Sequence, residues 1–218
     1  MILSRQSDIL SAKAIEGIEV TIIGVGAVGS DVGPMIGKMG CLHIDVYDPD
    51  RVAPENHSSQ NYRPGTDDGK LKVDAFREIV EMFTTAKVTP HPIACTGDER
   101  FRGIVIMAAD TMQARIDVWH KAIRFNPLVP LYLESRMGAE ELQVYAVHPC
   151  DPDEVERYEK FLYPDSEAYR APCTAKAIAY TPAVAAAIVA RELKAYLTGE
   201  PVQFENILGL KSRGWVVQ

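Results

Sequence analysis

A chain of 218 residues, 47 % of them hydrophobic, is long enough for one domain with a large core, and residues 1–218 are expected to form it. Its formal charge of −7 and pI near 5.3 disfavour a nucleic-acid partner held by phosphate neutralisation. No apolar run approaches the ~20 residues that span a bilayer and the start, MILSRQSDILSAK, is too polar for a secretion signal, so a soluble cytoplasmic protein is expected, with no membrane partner.

In chain order, residues 1–17 read as a short arm and helix, with Ser4 or Ser7 as candidate caps and Ile9, Leu10, Ala14 and Ile15 apolar. The next stretch organises the rest. Val20 to Ile23 is a β-branched run bounded by glycine, as in a buried parallel strand. Gly24-Val25-Gly26-Ala27-Val28-Gly29 completes a G-x-G-x-x-G, and Ser30 to Met39 carries Val32, Met35, Ile36 and Met39 at helical spacing. A second strand, Leu42 to Tyr47, stops at Asp48. In this pattern Gly24 permits a tight turn, Gly26 lets backbone approach a phosphate, and Gly29 lets the helix pack on the sheet. The helix start offers free N–H groups and a positive dipole end to an anion, and an acid at the position of Asp48 can meet a ribose hydroxyl pair. Two features weigh against a nucleotide site here: Pro34 falls in the helix's first turns, where it is tolerable, and Gly33 and Gly37 weaken that helix.

Pro49 to Gly65 is polar and proline-punctuated, a long connection of the kind that compact domains keep for function. A helix is predicted from Lys72 to about Thr84, with Val73, Phe76, Ile79, Val80 and Phe83 on one face. Lys70 and Lys72 then stand at its start, where a lysine is unfavourable unless an anion lies nearby. Lys87 to Ile93 reads as a strand in which Pro90 and Pro92 argue for irregularity or an edge. Gly103 to Ala109 is a central strand ending at Asp110, and Thr111 to Arg124 is a helix capped by Thr111 or Asp110. Asp110 thus falls at the carboxyl edge of the sheet, where open α/β sheets bind ligands.

Val129 to Glu134 and Glu141 to Val147 form an antiparallel pair, with Met137-Gly138-Ala139 in the turn. Cys150 to Tyr169 is an acidic loop or short helix, ending at Ala171-Pro172-Cys173-Thr174. Pro182 to Leu197 is an alanine-rich helix closed by Gly199. Its stripe of Ala183, Ala186, Ala187, Ala190, Leu193 and Leu197 faces the sheet or a partner subunit. Two short strands flank Lys211-Ser212-Arg213-Gly214. The fold class is α/β, a Rossmann-like, mostly parallel sheet with flanking helices and an antiparallel extension toward the C-terminus.

With these pieces placed, the chain resembles the ubiquitin-activating-enzyme superfamily in its compact bacterial form, the ThiF, MoeB and HesA type of adenylyltransferase. Ser4-Arg5-Gln6 looks like its N-terminal arginine motif and Gly24 to Gly29 its nucleotide loop. Asp48-Pro49-Asp50-Arg51-Val52 resembles D-x-D-x-V, and Glu55-Asn56 with Gln60 resembles a shortened E-x-x-N-x-x-R-Q. Gly69-Lys70-Leu71-Lys72 matches G-K-x-K, and Asp110 with Arg115 its aspartate–helix–arginine signature. The resemblance covers Ser4 to Gly199.

It implies ATP-dependent adenylation of a carboxylate, usually the terminal glycine of a small β-grasp protein ending in Gly-Gly. By that similarity Lys72 and Arg5 hold the phosphates, Arg5 reaching across a homodimer. Asp48 binds ribose, Asp50 belongs to the same nucleotide site, Asn56 and Gln60 position the triphosphate, and Asp110 holds Mg²⁺. Cys173, helped by Lys176 and the following helix, takes the acyl group from the adenylate with release of AMP, as a thioester or through a persulfide it already carries.

Two departures stand out. Ser59 replaces the arginine before Gln60, so that either Arg63 substitutes for it or phosphate binding is weaker. The two C-x-x-C pairs of many relatives are missing, so no zinc is expected from Cys41, Cys95, Cys150 and Cys173. Competing readings are adenylation of another carboxylate (a peptide terminus or a threonylcarbamoyl group on tRNA), a degenerate nucleotide-binding partner protein, and an NAD(P)-dependent dehydrogenase. The last has no use for Lys72, Asp110 and the Arg5 motif.

Overall fold

The computed structural model describes residues 3–167 and 177–218. Among these residues eight strands form one sheet in the order β3-β2-β1-β4-β5-β6-β7-β8. β1 (Glu19–Ile23), β2 (His43–Tyr47), β3 (Lys87–His91), β4 (Ile104–Met107) and β5 (Leu131–Gly138) run parallel. β6 (Glu141–Val147), β7 (Glu205–Gly209) and β8 (Gly214–Val217) continue antiparallel. This is the α/β architecture expected from the sequence. The chain leaves β1 toward β2 on one side and returns to β4 on the other, which creates a crevice at the carboxyl ends of β1 and β4.

Each parallel strand is apolar because both its faces are covered. One core layer joins Ile22, Ile44 and Ile104 to α2 (Ala27–Met39), α3 (Lys72–Phe83) and α6 (Tyr180–Thr198). The other joins Val105, Met107 and Tyr132 to Val118 of α4 (Met112–Val118) and Tyr158 of α5 (Pro152–Glu159). β3, with Pro90, is indeed an edge.

Several local expectations change. The cap of α1 (Ala12–Ile15) is Ser11, whose Oγ accepts from the Ala14 N–H at 3.2 Å, and not Ser4 or Ser7. Residues Ser4–Gln6 form a separate 3₁₀ turn, pinned where Gln6 Nε2 donates to the Met39 carbonyl at 2.6 Å. α2 starts at Ala27, so Pro34 lies in mid-helix. Its two glycines have a packing reason. A Cβ on Gly33 would lie 2.1 Å from the Phe76 ring of α3, and one on Gly37 2.9 Å from the Thr84 side chain. Propensity yields here to close helix–helix approach.

Helix α4 ends at Val118 and continues as a π-helical turn, Trp119–Ile123. β5 runs on to Gly138, which moves the turn to Ala139-Glu140, and Ala139 takes a positive φ of 54°. In α6 the expected stripe is divided between two surfaces. Ala186, Ala190 and Leu193 are buried, but Ala183 and Ala187 face an open groove instead. The helix is apolar almost all round, so periodicity alone does not choose its inner face. That groove, about 690 Å³, runs between α6 and β7–β8 and includes Val184, Ile188, Trp215 and Val217. Among the described residues no helix is long and apolar enough to cross a membrane.

Candidate active site

The register of the parallel strands builds the site. Ile23 pairs with Tyr47 on one side and with Met107 on the other, so Gly24, Asp48 and Ala108 emerge at one rim. Gly24 has φ +88°, and a Cβ there would lie 2.8 Å from the backbone of Ala108 and Ala109. Glycine is therefore required for the loop to pass the end of β4. Gly29 carries the same demand more severely, with a Cβ landing 2.0 Å from the Gly24 carbonyl oxygen. Gly26 has open space around it, the arrangement needed for close approach of a phosphate.

Asp48 is buried beneath this loop. Its Oδ2 accepts from the Val25 N–H at 2.8 Å and its Oδ1 from the Asp50 N–H at 2.9 Å. Burial pushes the carboxyl above the ordinary range, while the nearby Lys72 charge and both N–H donors oppose that rise. The acid expected to meet ribose thus fixes the loop's shape as well. The loop is also held from above. Tyr62 donates its hydroxyl to the Val25 carbonyl at 2.6 Å, and the Asn61 N–H donates to Ser30 Oγ at 2.9 Å. Tyr62 carries no sequence signal, since a lone tyrosine in a polar loop is unremarkable.

Lys72 opens α3 with its side chain only 9 % exposed, and Nζ lies 2.8 Å from Asp50 Oδ2. The Lys72 N–H also donates to the Asp50 carbonyl at 2.9 Å. Asp50 therefore aims the ammonium at the rim. Asp50 itself is largely exposed, so an incoming polyanion can compete with it for the lysine.

The long connection is only partly directed at the rim. Asn56 Oδ1 accepts from the Ala53 N–H at 2.9 Å and shapes the turn. Gln60 Oε1 is buried without a partner among the described residues. Gln60, Ser59, Asn61, His57 and Asp31 share a polar pocket of about 150 Å³ beside the start of α2. Arg63 is committed elsewhere: Nη2 reaches Asp67 and Glu78 at 2.5 Å each, and Lys70 joins the same carboxylates. These pairs hold Asp67 down at about 2 despite burial. Arg63 thus builds the base of the loop.

Nothing in the sequence marks Asp31, yet burial raises it to about 6. Its ionisation would place a negative charge in the wall where Ser59 stands instead of arginine. If the phosphates of ATP border this pocket, ATP affinity is expected to fall more steeply between pH 5 and 7 in the native protein than in Asp31→Asn, as measured by titration calorimetry. The sign follows from the raised pKa: the neutral, anion-tolerant form persists to about 6 and is lost above it. Equal slopes in the two proteins would refute this.

Asp110 is exposed, two residues beyond Ala108, the first residue after β4. Thr111 Oγ1 accepts from the Ala114 N–H, so capping α4 does not fall to Asp110. Arg115 is buried and donates to the Ala109 carbonyl and to Glu134 Oε1, the latter at 2.6 Å. Glu134 ends a predicted apolar strand, and a charge in such a place is the available signal for this pair. Arg5 is exposed in its 3₁₀ turn and makes no ion pair among the described residues. Cys173 and Lys176 lie outside the described residues. Cys41 and Cys95 are buried, and burial pushes their thiols upward, Cys41 to about 12, which makes them poor nucleophiles. No group of three His, Cys, Asp or Glu among the described residues is arranged to hold a metal. A magnesium ion shared with phosphates needs only one or two carboxylates, and Asp110 offers one.

In Saccharomyces cerevisiae the DNA damage tolerance protein RHC31 is 27 % identical over 144 residues, 62 % of this chain and 38 % of that protein. Among solved structures, Escherichia coli MccB with AMPCPP and MccA matches with a TM-score of 0.73 at 16 % identity, over 95 % of this chain and 65 % of that one. MccB solved with ATP gives 0.71 at 15 % identity. PaaA gives 0.73 at 17 % identity, with the same coverages of 95 % and 65 %. The chain therefore spans less than two thirds of these relatives, and at such identities the structural matches establish the fold. The family model matches residues 4–212, and the chain belongs to the ThiF family.

Proposed function

We propose that the chain catalyses ATP-dependent adenylation of a carboxylate, in the leading reading the C-terminal glycine of a small ubiquitin-like or sulfur-carrier protein of β-grasp fold. The observation that carries this is the gathering of the glycine loop, Asp48, the Asp50–Lys72 pair and Asp110 at one rim of the sheet. A carboxylate oxygen attacks the α-phosphorus, the bond from that phosphorus to the bridging oxygen breaks, and pyrophosphate leaves with the electron pair. Charge accumulates on the phosphates, so positioned cations lower the barrier. In this reading Lys72 leaves Asp50 to meet the phosphates, and the N–H groups of α2 support them. The remaining lone pairs of Asp48, with Asp50, take the ribose. Asn56 and Gln60 border the triphosphate, with Arg63 acting through the loop's base. Asp110 would hold Mg²⁺, which supplies charge neutralisation when bound. Cys173 as an acceptor belongs to the same proposal.

A second reading, adenylation of a peptide carboxylate, is favoured by the match to MccB solved with MccA. Pyrophosphate exchange into ATP, measured with β-grasp proteins ending in Gly-Gly and with short peptides, separates the two. Exchange only with peptides removes the first reading, and ATP binding with no exchange for any carboxylate removes both. Loss of exchange in Asp110→Ala is expected in either case.

The proposal includes a homodimer in which Arg5 crosses to the partner's site. The apolar groove on α6 and β8, with Trp215 60 % exposed, is a surface that association would cover. Arg5→Ala and Lys72→Ala chains, each inactive alone, are then expected to recover about a quarter of native exchange when mixed and allowed to re-pair. No recovery, or a monomer by sedimentation, contradicts shared sites.

A further inference from the structure

A ring of contacts encloses the turn that carries Asp110. Glu134, fully buried on β5, is its hub. It accepts from Arg115 Nη1 at 2.6 Å, from Arg136 Nε at 2.5 Å, and from the Tyr158 hydroxyl. The other Arg115 nitrogen, Nη2, donates to the carbonyl of Ala109, the residue immediately before Asp110. On the opposite side, Arg136 Nη1 donates to the Phe161 carbonyl at 2.8 Å and anchors the stretch that follows α5. Four residues later Asp165 comes back over the rim. Its Oδ1 accepts from the Met112 N–H at 2.7 Å and its Oδ2 from the Gln113 N–H at 3.3 Å. The turn Asp110-Thr111 is thereby held on both flanks, at Ala109 from below and at Met112 from the side, and both holds trace back to Glu134.

Asp165 takes two first-turn N–H groups that Thr111 leaves free, so one carboxylate both completes the helix start and fixes the backbone beside Asp110. Thr111 itself caps α4 through the Ala114 N–H. The Asp165 contact spans 53 positions of sequence from Met112, and it leaves the Asp110 carboxylate unoccupied by capping. The burial that ordinarily raises a carboxyl is overcome at Glu134 by the Arg115 and Arg136 charges, so the hub stays ionised and its two arginines stay fixed.

We propose that Asp165 and Glu134 are positioning residues for Asp110, so that the strength of divalent-cation binding with ATP is set by side chains that do not touch the cation. This rests on the reading of Asp110 as the metal-binding carboxylate. Residues that orient a metal ligand commonly change metal affinity by about 10- to 100-fold when removed.

The test is titration calorimetry of ATP with the full chain, with and without Mn²⁺, alongside thermal melting. In the native protein Mn²⁺ is expected to tighten ATP binding. Asp165→Ala is expected to lose about tenfold of that metal-linked gain with metal-free ATP affinity unchanged, and Asp165→Asn, which keeps one acceptor, to lose less. Glu134→Gln is the stronger variant but disturbs the core, so Asp165 decides the question. If Asp110→Asn abolishes the Mn²⁺ gain while Asp165→Ala leaves it intact, or only lowers the melting temperature, the positioning role is overturned and the metal reading stands. If Asp110→Asn itself leaves the gain intact, or if Mn²⁺ does not tighten ATP binding in the native protein, the metal reading fails and the positioning role falls with it.

Discussion

Lys72→Ala is expected to reduce pyrophosphate exchange by about 10²- to 10³-fold, the loss typical of removing one pre-aimed group that stabilises developing charge. The fold is expected to tolerate the loss of this ammonium. Its partner Asp50 is 63 % exposed and can return to water when the ammonium is gone. The backbone bond from the Lys72 N–H to the Asp50 carbonyl survives the substitution, so the melting temperature is expected to move little. Lys72→Arg is expected to rescue poorly, because a planar fork cannot replace a compact ammonium in a side-chain site only 9 % exposed. Native exchange rates in Lys72→Ala would remove it from the phosphate site.

The second large effect concerns the glycine loop, where two neighbouring substitutions are expected to fail differently. Gly29→Ala places a methyl 2.0 Å from the Gly24 carbonyl oxygen and 3.0 Å from its carbon, all of it backbone that cannot rotate away. Overpacking of this kind costs about 3 kcal/mol or more, which for a chain of this size lowers the melting temperature by roughly 10 °C. Gly26→Ala meets nothing within 4 Å and is expected to melt like the native protein. Its methyl would instead stand where a phosphate approaches, so ATP affinity is expected to fall. Calorimetric melting and ATP titration of both variants check this. A destabilised Gly26→Ala, or a Gly26→Ala that binds ATP normally, would contradict the assigned division of labour.

Much of this site is legible in the sequence because its parts are local. A strand, a tight turn and a helix start follow one another in Val20 to Met39, and Asp48 and Asp110 each follow a strand of the same rim. Side-chain chemistry that depends on distant partners is not legible. Arg63 invites a phosphate role by type and position, yet Asp67 of the same loop and Glu78 of α3 take its guanidinium, the second only once α3 packs beside the loop. Asp165 looks like one more acid in an acidic stretch until the fold brings it to Met112. Asp48 is legible as a rim acid but not as the acceptor that holds Val25 and Asp50 in place. The inner face of α6 is hidden for the opposite reason, since a helix apolar on nearly every side has no pattern to betray its orientation.

Every role proposed for these residues depends on a nucleoside triphosphate lying across the crevice between the carboxyl ends of β1 and β4. A crystal structure with ATP and Mg²⁺ tests this most directly. Phosphates are expected over the N–H groups at Gly26 and the start of α2, with Lys72 Nζ turned from Asp50 toward them and the metal on Asp110. Nucleotide bound away from this rim, or Lys72 still on Asp50 and Asp110 facing solvent in the complex, would contradict it.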